Sequence, residues 1–128
     1  MSDLKPRGIP IILDGVERHF LFTLNIIDEL QDKYGKNLYE IIEDLTKNEE
    51  SGHLLREVVT ILLNDEVDRT ERLGMQEAPM RVTQVDVGEM IGLDNYWDVM
   101  AALLRAYGVS LPEIEDEDPN WESGQTNN

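Results

Sequence analysis

The chain contains no cysteine, so neither a disulfide framework nor a thiolate metal site is available to hold the fold. No segment approaches the roughly 18 uninterrupted apolar residues that a membrane span requires. The first seven residues also lack the apolar core of a secretory signal. We therefore expect a cytoplasmic protein whose 128 residues form one domain around a single core.

Basic residues are scarce. The chain has 11 Lys and Arg but 27 Asp and Glu, which gives a formal net charge of −16. Nucleic-acid binding depends on Lys and Arg displacing counterions from phosphates, and anionic membranes attract the same side chains. We therefore expect neither a nucleic acid nor a membrane as a partner. Negative charge can also serve only to keep a protein soluble, and this simpler interpretation stays open.

The most acidic segment is residues 111–128, which holds six carboxylates without a single Lys or Arg. Its charges repel one another, and few apolar side chains are present to offset an ordering entropy of roughly 1–2 kcal/mol per residue. We predict a disordered acidic tail over 111–128, a flexible N-terminus over 1–8 and a single helical domain over 9–110.

Two apolar segments flank Asp14-Gly15, a dipeptide that tolerates the positive φ angles of a type I′ turn. This pattern predicts an N-terminal β-hairpin over 9–22. Because a lone hairpin is marginally stable in water, we expect its apolar face to pack on the helices that follow.

Apolar residues at three- and four-residue steps predict five helices behind the hairpin, in a mainly α fold arranged as one small orthogonal bundle. The residues expected to begin helices after the first are Asn37, Ser51, Thr83 with Asp86, and Asp94. Those expected to end helices are Gly35, Gly74, Gly92 and Gly108. In the long third helix we expect burial through residue 63 and exposure over 64–72, with Asp65/Arg69 and Asp68/Arg72 as solvent-facing ion pairs.

No constellation of residues points to a reaction. His19 and His53 are the only imidazoles and we interpret both as structural, and no activated nucleophile can be assembled. The carboxylates lie opposite the apolar stripes, where a solvated helix face needs them. Glu113 to Asp118 lacks the spacing of a calcium loop. We expect no catalytic residue, no metal and no cofactor.

The order of elements carries a family resemblance, which rests on five segments: 9–45 with the Asp14-Gly15 turn, 25–30, 34–38, 54–63 and 82–111. This arrangement, with the small size and the acidity, resembles the tail assembly chaperones of long-tailed bacteriophages and prophages. The resemblance implies a non-enzymatic, mostly helical protein that binds the tape-measure protein during tail assembly and is absent from the mature virion. It leaves the tail-tube protein as a further candidate partner and leaves self-association open.

The last predicted helix has an apolar arc wider than one packing face requires, and we predict that it contributes to a partner-binding groove. The candidate residues are Trp97, Met100, Leu104 and Tyr107. The alternative function is an acidic protein-binding module, such as an antitoxin-like protein or a DNA-mimic inhibitor, whose affinity would collapse at high salt. An enzyme of another type would require an enclosed pocket with convergent polar groups.

Overall fold

A computed structural model describes residues 8–47, 52–75 and 79–110. The predicted flexible N-terminus, apart from Gly8, lies outside the described residues, as do the Ser51 cap and the acidic tail over 111–128.

The N-terminal hairpin is present and consists of β1 (Ile9–Leu13) and β2 (Val16–Phe20), paired antiparallel with Leu13 opposite Val16. Asp14 and Gly15 connect the strands with φ angles of 52° and 77°. Two successive positive φ angles define the type I′ turn, so the prediction from Asp14-Gly15 is confirmed. Leu13 and Phe20 bury their side chains almost completely beneath the strands, as the predicted packing on the helices requires.

Within the described residues five helices follow the hairpin, as predicted, so the fold is mainly helical. They are α1 (Leu24–Tyr34), α2 (Leu38–Lys47), α3 (Gly52–Arg72), α4 (Gln84–Met90) and α5 (Tyr96–Ser110). The hairpin lies between the two longest helices, with β1 beside α5 and β2 beside α3. The core draws side chains from the hairpin and from every helix, among them Phe20, Leu30, Leu45, Leu62, Val87 and Leu103.

Several helix ends follow the predicted local chemistry. Gly35 ends α1 in the left-handed conformation, with a φ of 66°. The Asn37 side chain accepts the Glu40 backbone N–H at 2.9 Å, while the Glu40 carboxylate accepts the Asn37 N–H at 3.0 Å. Thr83 and Asp86 form the equivalent reciprocal pair at the start of α4. Each pair satisfies two backbone donors that a helix start otherwise leaves without partners.

The predicted boundaries around α5 were wrong. The residue before this helix is Asn95 rather than Asp94. The Asn95 side chain stabilises the preceding turn, because it accepts the Gly92 N–H at 2.8 Å and donates to the Met90 carbonyl at 2.9 Å. Gly108 does not end the helix, which continues to Ser110. A glycine inside a helix is tolerated at a modest cost in stability, so it does not by itself stop one.

The predicted exposure of the second half of α3 was also wrong. Glu66 and Val67 are buried, at 5% and 2% exposure. The Asn64 side-chain amide makes two hydrogen bonds to the backbone of Val82. It donates to the Val82 carbonyl at 2.9 Å and accepts the Val82 N–H at 2.8 Å. The structure pairs Asp68 with Arg81, at 2.7 Å, where we expected Arg72. Several polar residues of this half of α3 therefore bind neighbouring segments of the chain.

Candidate functional site

An open apolar groove of about 740 Å³ lies between the end of α2, the start of α3 and the N-terminal half of α5. Leu45 and Lys47 line it from α2, and Gly52 lines it from α3. The opposite wall comes from the turn before α5 and from α5 itself: Leu93, Tyr96, Trp97, Met100, Ala101 and Leu104.

The spacing of apolar residues in α5 explains why one helix faces both the core and this groove. Val99, Leu103 and Ala106 are buried on the core side. Residues 97, 101 and 104 follow each other at steps of four and three, which places them on a common side of the helix, and all three are exposed. The core therefore uses only part of the apolar circumference of α5.

Two of the largest apolar side chains in the groove wall extend into solvent. Leu93 is 96% exposed and Trp97 is 73% exposed. The Tyr96 ring packs edge-on against the Trp97 indole, with the centroids 5.1 Å apart and the ring planes at 88°. A concentration of exposed apolar surface of this kind is typical of an interaction site in a soluble domain.

The structure brings together three of the four predicted partner-binding residues. Trp97 lines the groove and is exposed, Leu104 lines it near its edge, and Met100 is only 4% exposed. Tyr107 is half-buried and does not line the groove. Their role in partner binding stays a prediction.

Sequence reasoning missed Leu93 and Ala101 as members of the groove wall. Ala101 could have been found, since it lies between Trp97 and Leu104 at the helical spacing. Leu93 precedes α5 in the turn, so no helical periodicity identifies it.

Among the residues that the structure describes, the groove lining contains no acid, although the chain is strongly acidic. The charged member of this described lining is Lys47, whose ammonium lies 3.1 Å from the Glu43 carboxylate. Hydrogen bonds from Lys47 and from the Tyr39 hydroxyl lower the pKa of Glu43. The groove thus presents apolar surface with a single paired cation at one end.

A second cluster lies beneath the hairpin, on the side that faces α3. The Arg18 guanidinium donates to the Glu66 carboxylate at 2.8 Å and to the Leu63 carbonyl at 3.0 Å. The two ring nitrogens of His19 lie 2.8 Å from Glu66 and 3.1 Å from Glu17. Arg18 and Glu66 are almost completely buried, at 3% and 5% exposure, so the cluster fastens β2 to α3 and offers no access to a substrate.

Sequence reasoning missed this cluster, although one signal was available. Arg18 is two residues before Phe20, so the alternation of a strand places both side chains on the same face. A charged residue on an inward face requires a buried partner. The signal does not identify Glu66 as that partner.

A smaller polar group lies where α1 meets α3. The Tyr34 hydroxyl donates to Glu57 at 2.5 Å, and the second oxygen of Glu57 lies 2.8 Å from His53. Burial and the Glu57 carboxylate raise the pKa of Tyr34. Farther along α3, burial raises the pKa of Asp65 despite its ion pair with Arg69. These groups connect helices or neighbouring turns.

Within residues 8–47, 52–75 and 79–110, no group of three or more His, Cys, Asp or Glu residues has the arrangement to hold a metal ion. The same part of the chain contains no helix with the length and apolar character needed to cross a membrane. Comparisons with protein-family models, with curated proteins and with solved structures found no match to this chain.

Proposed function

We propose that this chain is a non-enzymatic tail assembly chaperone that binds a phage tape-measure protein and keeps it soluble during tail assembly. In this proposal it acts in the host cytoplasm and is absent from the mature virion. The observation that carries the proposal is the open apolar groove beside α5, with Leu93 and Trp97 exposed in its wall. The resemblance in the order of elements supplies the identity of the partner.

The shape and chemistry of the groove suit one face of a partner helix. An amphipathic helix presents apolar side chains at three- and four-residue steps, and a groove binds them as a row of anchors. Met100 is buried behind the wall, while Trp97 and Leu104 stay available for contact. A tape-measure protein is a long helical chain whose apolar stripe requires cover before the tail is built.

The acidic exterior supports the same function. Helices α1, α2, α3 and α4 each carry a net charge of −2, whereas the described part of the groove lining carries no acid. Several copies bound along one partner would therefore repel one another through their outer surfaces. That repulsion would keep coated partners from aggregating.

Co-expression with a tape-measure protein tests the proposal. We expect the double variant Leu93→Ser/Trp97→Ser to reduce the amount of soluble, co-purifying tape-measure protein at least tenfold, since each large apolar anchor contributes about 1.5–3 kcal/mol when buried. Val85→Ser is the matched control, because Val85 is 70% exposed on α4 and lies outside the groove. Unchanged recovery with the double variant would overturn the proposal.

Salt separates this function from the acidic-module alternative. Binding through the apolar groove should persist between about 0.05 and 1 M NaCl, whereas recognition by negative charge should weaken steeply over that range. The measurement is the dissociation constant of the purified complex at each salt concentration. Two results together would favour the alternative: an affinity that is lost at high salt, and an unchanged recovery of soluble tape-measure protein with the Leu93→Ser/Trp97→Ser variant.

A further inference from the structure

One side of α5 is uncovered along most of the helix. Six of its exposed residues follow each other in steps of one and three: Trp97, Asp98, Ala101, Leu104, Arg105 and Gly108. We name these six residues the α5 face. Such spacing makes a continuous strip of the kind that packs against another helix.

The α5 face differs in its charge from the other described helices. The other four helices each carry a net −2, but α5 contains one acid, Asp98, and one base, Arg105, and is neutral. Two copies of a chain with a net charge of −16 repel each other over most of their surfaces. The α5 face is the helical surface where this repulsion is weakest.

We propose that the α5 face binds a second copy of this chain, with the two α5 helices antiparallel. When Ala101 is placed opposite Leu104 of the second copy, Trp97 falls opposite Gly108. Each large side chain then meets a small residue, and the two-fold symmetry repeats both contacts. This is the self-complementarity that an isologous dimer requires.

The charges favour the same alignment. In the antiparallel pair, Asp98 lies within reach of Arg105 of the second copy, and the symmetry forms this ion pair twice. In an in-register parallel pair, Asp98 would lie level with Asp98 of the second copy and about two helical turns from its Arg105, so neither ion pair could form. The order of Asp98 and Arg105 along the helix therefore selects the antiparallel arrangement.

This dimer shares Trp97, Ala101 and Leu104 with the groove, so a second copy and a partner helix exclude each other. A single helix pair covers less area than a standard protein interface, and the dimer therefore dissociates on dilution. Self-association covers the apolar side chains of the α5 face until a partner helix replaces the second copy. The dimer itself rests on the geometry of the α5 face and not on the identity of that partner.

Charge exchange tests the antiparallel pairing by sedimentation equilibrium over a concentration series. We expect the wild type to approach twice the chain mass of 14.7 kDa, while Asp98→Arg and Arg105→Asp each stay at the single-chain mass. Mixing these two variants restores both ion pairs in a heterodimer, so we expect the mixture to regain the dimer mass. The matched controls, Asp32→Arg on α1 and Arg72→Asp on α3, change exposed residues by the same charges and should remain dimeric.

Gly108→Leu tests the steric part of the pairing. A Cβ atom at this exposed position meets no atom within 4 Å in the monomer, so the variant should fold normally. It would fill the place taken by Trp97 of the second copy, and we expect the single-chain mass with an unchanged circular dichroism spectrum. A monomeric wild type, a dimeric Gly108→Leu variant or a mixture that stays monomeric would overturn the inference.

The two proposals fail in different experiments. Asp98, Arg105 and Gly108 do not line the groove, so variants at these positions should still bring tape-measure protein into solution. Loss of the dimer with retained chaperone activity would support the inference. The Leu93→Ser/Trp97→Ser variant tests the proposed function, and because Trp97 also belongs to the α5 face, the dimer is judged from the Asp98, Arg105 and Gly108 variants alone.

Discussion

At the scale of single residues, the most consequential contact is the buried pair of Arg18 and Glu66. Removing two charges from water is costly, and the pair is tolerated because the geometry is close and other polar groups complete it. Glu66 accepts from Arg18 at 2.8 Å and from the His19 backbone N–H at 3.2 Å. The guanidinium also donates to the Leu63 carbonyl. The cluster thereby fixes the position of β2 on α3.

Removal of one partner should destabilise the fold strongly. We expect Glu66→Gln to lower the free energy of unfolding by about 3–5 kcal/mol, because Arg18 would keep its charge without a counter-ion. The double variant Arg18→Met/Glu66→Met should lose much less than the sum of the two single changes. Urea unfolding followed by circular dichroism gives these values.

The control for this prediction is Glu71→Gln, an exposed change on the same helix that we expect to alter stability by less than about 0.5 kcal/mol. Equal stabilities of Glu66→Gln and Glu71→Gln would show that the buried pair contributes nothing to the fold.

At the scale of elements, the turns and helix ends determine how the hairpin and the five helices connect. Gly8, directly before β1, has a φ of 104°, and a Cβ atom there would overlap the Phe20 carbonyl oxygen. Gly108 lies inside α5, and a Cβ atom there would meet nothing within 4 Å. The two glycines therefore differ in their roles. The conformation at the start of the hairpin requires Gly8, whereas Gly108 only leaves space on the α5 face.

Alanine substitution should separate these roles. We expect Gly8→Ala to destabilise the fold by about 1–3 kcal/mol, since it adds backbone strain and a steric conflict at the edge of the sheet. Gly108→Ala should stabilise it by up to about 1 kcal/mol, because alanine is the better helix former. Thermal unfolding of both variants, at concentrations where the chain is monomeric, measures the difference. A stabilising Gly8→Ala would contradict the described start of β1.

At the scale of the whole molecule, the dominant property is the net charge of −16. Ion pairs such as Lys36 with Asp44 and Arg81 with Asp68 are exposed, and pairs of this kind contribute little to stability. Repulsion among the unneutralised carboxylates therefore opposes the compact state. Salt screens this repulsion, with a Debye length that falls from about 30 Å at 0.01 M to about 8 Å at 0.15 M.

The fold should consequently become more stable as salt is added. We expect the urea midpoint to rise between about 10 and 150 mM NaCl and to change less beyond that range. The variant Asp32→Lys/Glu89→Lys, which replaces two exposed acids with bases, should start from a higher midpoint and respond less to salt. A midpoint that falls with salt would mean that attractive ion pairs outweigh the repulsion.

Much of the fold could be predicted from the sequence because its signals are local. Asp14-Gly15 specifies the turn through φ angles that two adjacent residues must adopt, and Thr83 with Asp86 specifies a helix start through contacts three residues apart. Asp94 and Gly108 misled the prediction, since a tertiary or neighbouring contact can override a weak local preference. Asn95 ties the turn before α5, and Gly108 is tolerated inside the helix.

The candidate site was predictable only in part. The width of the apolar arc on α5 could be read from its periodicity, and two of the residues chosen from it, Trp97 and Leu104, are exposed and line the groove. Periodicity does not state which part of an arc the core uses. Tyr107 therefore entered the prediction although it does not line the groove, and Leu93 was left out.

The sequence by itself determined the hairpin, the five helices and the acidity, because each depends on neighbouring residues or on a simple count. Only the tertiary structure decided that Glu66 is buried with Arg18, since 48 residues separate them and no local rule joins them. It also decided which side of α5 stays uncovered. That outcome depends on how the hairpin packs against the helix, and such packing is a property of the assembled core.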